Sequence, residues 1–183
     1  MKHFLFLYPI SYYIDLEITR GFLGLGGKVS SINDYIDYRY RKKGFAINWL
    51  TFNSYQEEER FFPKIKIHPE IKILQSDRII KNGINYRDFC SCDENYPNPN
   101  NIINQLPELT QLVLAGFHRE DCVKRIKENA LERGIDVSID RDLTEEFFRI
   151  MPKTKIPLNR RGISINHMKI FARRYIPELL DNL

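Results

Sequence analysis

The sequence predicts an α/β fold in which a mostly parallel sheet of about six strands carries helices on both faces. The run Phe4–Leu7 is short and wholly apolar, as in a strand buried on both faces. Similar runs recur at "FAINWLT" and "QLVLAGF", and amphipathic segments separate them. Strands that alternate with helices form βαβ units, which makes the strands parallel and puts helices on the two faces.

The first third of the chain is assigned as strand, loop, helix and strand. Phe4–Leu7 is the first strand, and the glycine-rich "ITRGFLGLGGKVSS" is a loop. A helix is predicted from Ser30 or Ser31 to Lys43, because either serine can cap it and Gly44 can end it. "FAINWLT" is the second strand, and a long polar and aromatic loop, "FNSYQEEERFFPKIKIHPEIK", follows.

The rest of the chain contains the remaining strands. "DRIIK" is the third strand, "NGINYRDFCSCDENYPNPNN" is a loop and "NIINQLPEL" is a short helix. The strands "QLVLAGF" and "IDVSID" flank a helix from about Asp121 to Arg133, which Gly134 closes. The C-terminal "INHMKIFARRYIPELLDNL" is predicted to be an amphipathic helix that Pro177 kinks or restarts.

The composition predicts one globular domain spanning residues 1–183. The chain is 43% hydrophobic and 28% charged, and no stretch approaches the roughly 20 apolar residues that cross a bilayer. Three cysteines, Cys90, Cys92 and Cys122, form no pairing framework, so we expect a reducing compartment, the cytoplasm. "CSC" has the wrong spacing for zinc and lacks a second ligand pair, so we expect no metal, and no pattern calls for a cofactor.

The net charge is +4 and the isoelectric point about 8.9. Basic residues cluster at "RYRKKG" and "NRRG…ARR", as on a solvated face. Binding of nucleic acid through the basic C-terminal helix is a third and less favoured hypothesis.

Four features fall at the carboxyl ends of the predicted strands, where parallel sheets bind ligands. They are Tyr8, Asn53, Lys81 and the turn "GFHREDC" that contains Cys122. A thiol at the start of a helix is placed for nucleophilic chemistry, because helix N-terminal amides favour the thiolate. The alternative is that Cys122 is a buried and inert residue, as lone cysteines commonly are.

The segment Ala115–Val123, "AGFHREDCV", resembles the pattern [CA]-G-V-x-T-x-x-C-V of the isochorismatase-like cysteine hydrolase family. "NALERG" and "IDVSIDRDLT" follow, with Asp142 and Thr144 in register with the family's Asp-Ala-Thr. Upstream, "SINDYIDYRYRKKGFAINWL" and "IHPEI…DRIIK…F" are similar to the family's first helix, second strand and lysine segment. The resemblance runs from about Lys2 to Thr144, which leaves a divergent C-terminal extension from about residue 145.

The resemblance implies a Rossmann-like three-layer sandwich that forms a homodimer or tetramer. It also implies a Cys–Lys–Asp triad that hydrolyses amides or related C–N bonds through a thioester, although other members cleave a vinyl ether without the thiol. Carried over by position, Cys122 is the nucleophile and Lys81 favours its ionisation, while backbone N–H groups of His118 and Cys122 form the oxyanion hole. The alternative for Lys81 is that it simply extends into water.

The departure from the family lies at the end of the first strand, where Tyr8 or Pro9 stands instead of Asp. A tyrosine, with an ordinary pKa of about 10, is a poor base at neutral pH but can donate a hydrogen bond. Asp15 is the nearest downstream acid. His118 is a substitute base or an exposed turn residue.

Two further side chains are candidates for substrate binding. Arg119 could clamp an anionic substrate, fill the mouth of the site or point to solvent. Asn53 could hydrogen-bond a substrate, whereas Trp49 is assigned to the core. The segment "LTFNSYQEEER" lacks the Asp-x-His of the family's metal-dependent nicotinamidases, which again predicts no metal.

The predicted function is that of an isochorismatase-like cysteine hydrolase acting on a small amide or related compound. The alternative is a catalytically inactive relative that keeps the fold and serves as a binding or assembly module.

Overall fold

The structure is a computed structural model that describes residues 1–20, 28–53, 63–86, 96–117 and 119–144. His118, Cys90, Cys92 and the predicted C-terminal helix lie outside these ranges. Within them, no helix is long and apolar enough to cross a membrane.

The described residues form one sheet of five parallel strands flanked by helices, which confirms the α/β class. The strand order is β3-β2-β1-β4-β5, and five strands are found where about six were predicted. The strands are β1 (Lys2–Leu7), β2 (Ala46–Asn53), β3 (Arg78–Asn85), β4 (Gln111–Gly116) and β5 (Asp136–Thr144).

The central strand β1 is buried because its apolar side chains pack on both faces of the sheet. Phe4 stacks on Tyr40 at 4.2 Å between ring centroids, and Phe6 lies 5.8 Å from Trp49. Burial of each such side chain contributes on the order of 2 kcal/mol to stability. Trp49 therefore belongs to the core, as the sequence predicted.

Within the described ranges, four α-helices lie between the strands, and their ends correct parts of the sequence assignment. The first helix was not predicted. The second begins at Val29 after Lys28, whose side chain makes no capping hydrogen bond, so neither Ser30 nor Ser31 is the cap. The helices are α1 (Ser11–Arg20), α2 (Val29–Arg39), α3 (Pro99–Ile103) and α4 (Lys124–Glu132).

The predicted helix ends agree in part with the structure. A 3-10 turn, Arg41–Lys43, continues α2, and Gly44 ends it at φ 78° as predicted. Helix α3 starts earlier than expected, because the Asn98 side chain caps it by accepting a hydrogen bond of 2.9 Å from the Asn100 N–H. A π-helical turn, Arg119–Val123, leads into α4.

Strands β3 and β5 extend beyond the ends that the sequence predicted, because each contains a bulge near its carboxyl end. In β3 the register shifts between the pairs Thr51–Lys81 and Asn53–Asn85. In β5 it shifts between Leu114–Ile139 and Gly116–Thr144. A bulge redirects the side chains that follow it, so these two irregularities affect which residues face the candidate site.

Candidate active site

Tyr8 occupies the position directly after β1, at the carboxyl edge of the sheet. Its φ of 54° lies in the left-handed region, which bulky residues rarely adopt. Its N–H donates to the Leu50 carbonyl at 2.8 Å, and its ring stacks on Phe52 at 4.5 Å. Only 1% of Tyr8 is exposed, so the surrounding contacts hold a strained backbone in place.

Cys122 lies in the π-helical turn and is also buried, with 3% exposed. The Tyr8 hydroxyl is hydrogen-bonded to the Cys122 side chain. Asn82 Nδ2 donates to the same hydroxyl at 3.3 Å, so the hydroxyl oxygen accepts from the amide while its proton is available for donation. Burial, followed by the neighbouring Cys122, raises the pKa of Tyr8 well above its ordinary value, so the phenol is a donor at neutral pH.

Lys81 and Asn82 lie at neighbouring positions of β3 and point in different directions. Lys81 is exposed, and its Nζ donates to the Phe52 carbonyl at 3.1 Å. Asn82 is 1% exposed and makes the contact with Tyr8. Side chains of a strand alternate between the two faces, so β3 presents Asn82 to the tyrosine. The sequence pattern placed Asn82 in a loop, and its Asn-Gly pair was the signal that could have indicated a bulge.

Asn53 stabilises this arrangement from the neighbouring strand. Its Oδ1 accepts a hydrogen bond of 3.3 Å from the Gly83 N–H. Asn82 Oδ1 accepts from the Ile84 N–H at 2.8 Å. The two amide oxygens therefore accept from backbone donors next to the bulge, and the substrate contact of Asn53 stays a prediction.

The remaining predicted residues are placed as follows. Arg119 lies half-buried in the π-helical turn, and His118 is outside the described residues. Asp15 lies in α1, where its carboxylate is 3.3 Å from Lys64 Nζ and 3.2 Å from His68 Nε2.

A second cluster, formed by the buried Asp121 and the partly exposed Tyr96 and Arg125, lies beside the thiol. The Asp121 carboxylate is 3% exposed and accepts hydrogen bonds from the Tyr96 hydroxyl and, at 3.0 Å, from Arg125 Nε. The guanidinium also lies over the Tyr96 ring, 4.2 Å from its centroid. None of these three residues was predicted from the sequence, although the four-residue spacing of Asp121 and Arg125 is typical of an ion pair on one helical face.

Residues of the two clusters line one narrow cavity. Tyr8 and Cys122 form part of its wall, and Tyr96 and Arg125 form another part. The cavity is too narrow for a water molecule, so a ligand can enter only if part of the wall moves.

The arrangement combines a thiol, a hydrogen-bond donor and a helix start. A donor to sulfur and helix N-terminal amides both stabilise a thiolate relative to a thiol. Within the described ranges, no three His, Cys, Asp or Glu side chains lie together as metal ligands would.

The structure resembles the crystal structure of an isochorismatase from Pseudomonas putida KT2440. The TM-score is 0.54 and the sequence identity 14%, with 78% of this chain and 70% of that chain covered. It also matches an N-carbamoylsarcosine amidase from Thermoplasma acidophilum, with TM-score 0.49, 16% identity and coverage of 96% and 93%. A nicotinamidase from Staphylococcus aureus matches with TM-score 0.40, 18% identity and coverage of 94% of each chain.

By sequence, no protein-family model and no curated protein matches this chain. The structural likeness to the Pseudomonas putida protein shows an isochorismatase-like fold, as the resemblance in sequence predicted.

Proposed function

We propose that the protein is an isochorismatase-like hydrolase of small amides or related compounds, with Cys122 as its nucleophile. The observation that supports this most is the hydrogen-bond chain Asn82–Tyr8–Cys122 at the carboxyl edge of the sheet. A strained backbone at a buried tyrosine and a π-helical turn at the thiol are both features that concentrate at functional sites.

In this proposal the Cys122 sulfur attacks the carbonyl carbon and the C–N bond breaks. The amine leaves with the proton of the thiol, and a thioester forms. Water then hydrolyses the thioester, which releases the acid and restores the thiol. Tyr8 donates a hydrogen bond to the sulfur throughout, and the backbone N–H groups of His118 and Cys122 stabilise the oxyanion.

A second candidate function is that of an inactive relative which binds a small molecule or an assembly partner. The direction of Lys81 favours it, because the ammonium lies on the Phe52 carbonyl while Asn82 contacts Tyr8. The presence of Tyr8 where the family has a carboxylate favours it too, since a phenol with a raised pKa is a poor base.

Ammonia release from a panel of small primary amides and N-carbamoyl compounds separates the two candidates. For a hydrolase, Cys122→Ser abolishes release, and Tyr8→Phe lowers kcat by roughly 10-fold because the sulfur loses its donor. Lys81→Ala is the matched control, and it leaves kcat within about 2-fold if the ammonium remains hydrogen-bonded to the Phe52 carbonyl. A decrease in kcat as large as that of Tyr8→Phe would instead support the lysine role that the family implies. Stabilisation of the protein against heat by an amide that is not turned over would support the second candidate.

A further inference from the structure

The wall of the Cys122 cavity has an apolar part and a polar part. The apolar part consists of Pro97, Pro99, Ile102 and Ile126. The polar part consists of Tyr96 and Arg125, which are both attached to Asp121. Because the cavity admits no water in this state, one part of the wall has to move before any reagent reaches the sulfur.

Tyr96 is the part of the wall that contacts both members of the Asp121–Arg125 pair. Ile126 belongs to α4, and Ile102 belongs to α3 and is 1% exposed, so both are fixed by a helix and the core. Tyr96 precedes α3, and its hydroxyl hydrogen bond to Asp121 and its ring contact with Arg125 hold it against the cavity. Tyr96 belongs to no helix or strand, so its movement does not require the unfolding of a regular element.

The charge of the cavity wall is balanced. Arg125 carries the one formal charge among the described residues that line it, and its Nε lies 3.0 Å from the Asp121 carboxylate. Asp121 is buried and Arg125 is partly exposed, with 40% of its side chain accessible. The pair therefore cancels the field that would otherwise attract an anion to the thiol.

We propose that Tyr96 determines access to Cys122, and that the Asp121–Arg125 pair makes the opened cavity selective for small uncharged substrates. The inference rests on the proposed function, since it concerns the same thiol. When the Tyr96 hydroxyl leaves Asp121, the ring swings from the wall and the sulfur becomes reachable. Apolar prolines and isoleucines then surround the acyl part of a neutral amide.

Two alkylating reagents that differ in charge test both parts of the proposal, access through Tyr96 and selection by charge. Iodoacetamide is neutral and iodoacetate is anionic, and in both the sulfur–carbon bond forms as iodide leaves. The 183-residue chain with Cys90→Ser and Cys92→Ser restricts the measurement to Cys122, and mass spectrometry of the peptide that contains Cys122 measures the rate. Any change in thiolate population affects both reagents alike, so the ratio of the two rates reports charge selection.

The expected result for access is that Tyr96→Phe accelerates alkylation by both reagents roughly 10-fold and leaves their ratio unchanged. Tyr38→Phe is the control, because Tyr38 is 72% exposed on α2. Equal rates in Tyr96→Phe and in the parent, with unchanged thermal unfolding, would overturn the access role whether or not the protein hydrolyses amides.

The expected result for charge is that Asp121→Asn raises the iodoacetate-to-iodoacetamide ratio several-fold, because Arg125 then acts as an uncompensated cation. Adding Arg125→Gln returns the ratio to the parent value. Asp34→Asn, at an exposed position of α2, makes the same change in net charge and leaves the ratio unaltered. A ratio that stays constant in Asp121→Asn would refute selection by charge.

Discussion

The ends of β4 and β1 approach each other closely at Gly116 and Leu7, the residue before Tyr8. Gly116 has φ 98°, and a Cβ added to it would lie 2.2 Å from the Leu7 carbonyl oxygen and 2.8 Å from the Leu7 nitrogen. The Phe117 N–H donates to that same carbonyl at 3.1 Å. Close approach of two backbones at the sheet edge is therefore what brings the turn containing Cys122 beside Tyr8.

The first prediction concerns this contact. Gly116→Ala combines a disfavoured φ with a backbone clash, and we expect it to lower the free energy of unfolding by about 3 kcal/mol or more. Gly134→Ala is the control, since Gly134 has φ 72° with no atom within 4 Å of an added Cβ, and should cost about 1–2 kcal/mol. Urea unfolding measures both, and similar losses in the two variants would mean that the close approach to Leu7 is unimportant.

At the residue scale, the sequence placed Tyr8 and Cys122 at one edge of the sheet, and the structure joins them by a hydrogen bond. The sequence could not show which of the neighbouring side chains, Lys81 or Asn82, faces Tyr8. A lysine at the end of an apolar strand matched the family, whereas the direction of each side chain depends on a bulge that Asn53 stabilises from another strand. Periodicity within one segment contains no information about such a contact.

Among the elements, the bulge of β5 depends on one buried carboxylate. Asp140 is 6% exposed and accepts hydrogen bonds from the N–H groups of Asp142 at 2.9 Å and Leu143 at 3.3 Å. The Tyr40 hydroxyl donates to its other oxygen, which ties the bulge to the end of α2. The bulge is thus held by a side chain rather than by the strand ladder.

The second prediction follows from that carboxylate. Asp140→Ala leaves the Tyr40 hydroxyl and two backbone donors without this acceptor, and we expect a loss of about 2–4 kcal/mol in the free energy of unfolding. Asp136→Ala removes an exposed carboxylate of the same strand, whose partner is Gln111, and should cost less than about 1 kcal/mol. Thermal and urea unfolding compare the two, and equal effects would contradict a structural role for Asp140.

The helices show how far local signals predict an element. Gly44 ends the α2 segment as expected, because a positive φ is a property of the residue itself. The start of α2 was placed wrongly at a serine, and α1 was overlooked, since half of its residues are tyrosine, isoleucine or threonine, which have weak helix propensity. Packing of α1 and α2 against the sheet overrides weak propensities of this kind.

The whole molecule contains a buried histidine that couples folding to pH. His3 in β1 is 0% exposed; its Nε2 lies 2.9 Å from the Pro107 carbonyl and its Nδ1 3.2 Å from Asn48 Nδ2. Burial is the main reason that the pKa of His3 is lowered from its ordinary 6.5. The folded chain therefore takes up the proton less readily than the unfolded chain.

The third prediction is a loss of stability on acidification. The contribution of His3 is complete above pH 6.5 and decreases as pH falls below that value, because only the unfolded chain is then readily protonated at this position. We expect His3→Gln to show a smaller decrease in unfolding free energy between pH 7 and pH 5 than the parent. Urea unfolding between pH 7 and pH 5 measures this decrease. An equal decrease in His3→Gln and in the parent would show that His3 is not its source.

By itself, the sequence determined the parallel α/β sheet and the edge at which the candidate site lies. The sequence predicts them because the pattern of apolar residues within one segment indicates whether that segment is a buried strand or an amphipathic helix. Only the tertiary structure decided that Asn82 faces Tyr8 and that Asp121, Tyr96 and Arg125 lie together at the thiol cavity. Those contacts join residues of different elements, and their geometry depends on strand bulges and helix packing that no single segment encodes.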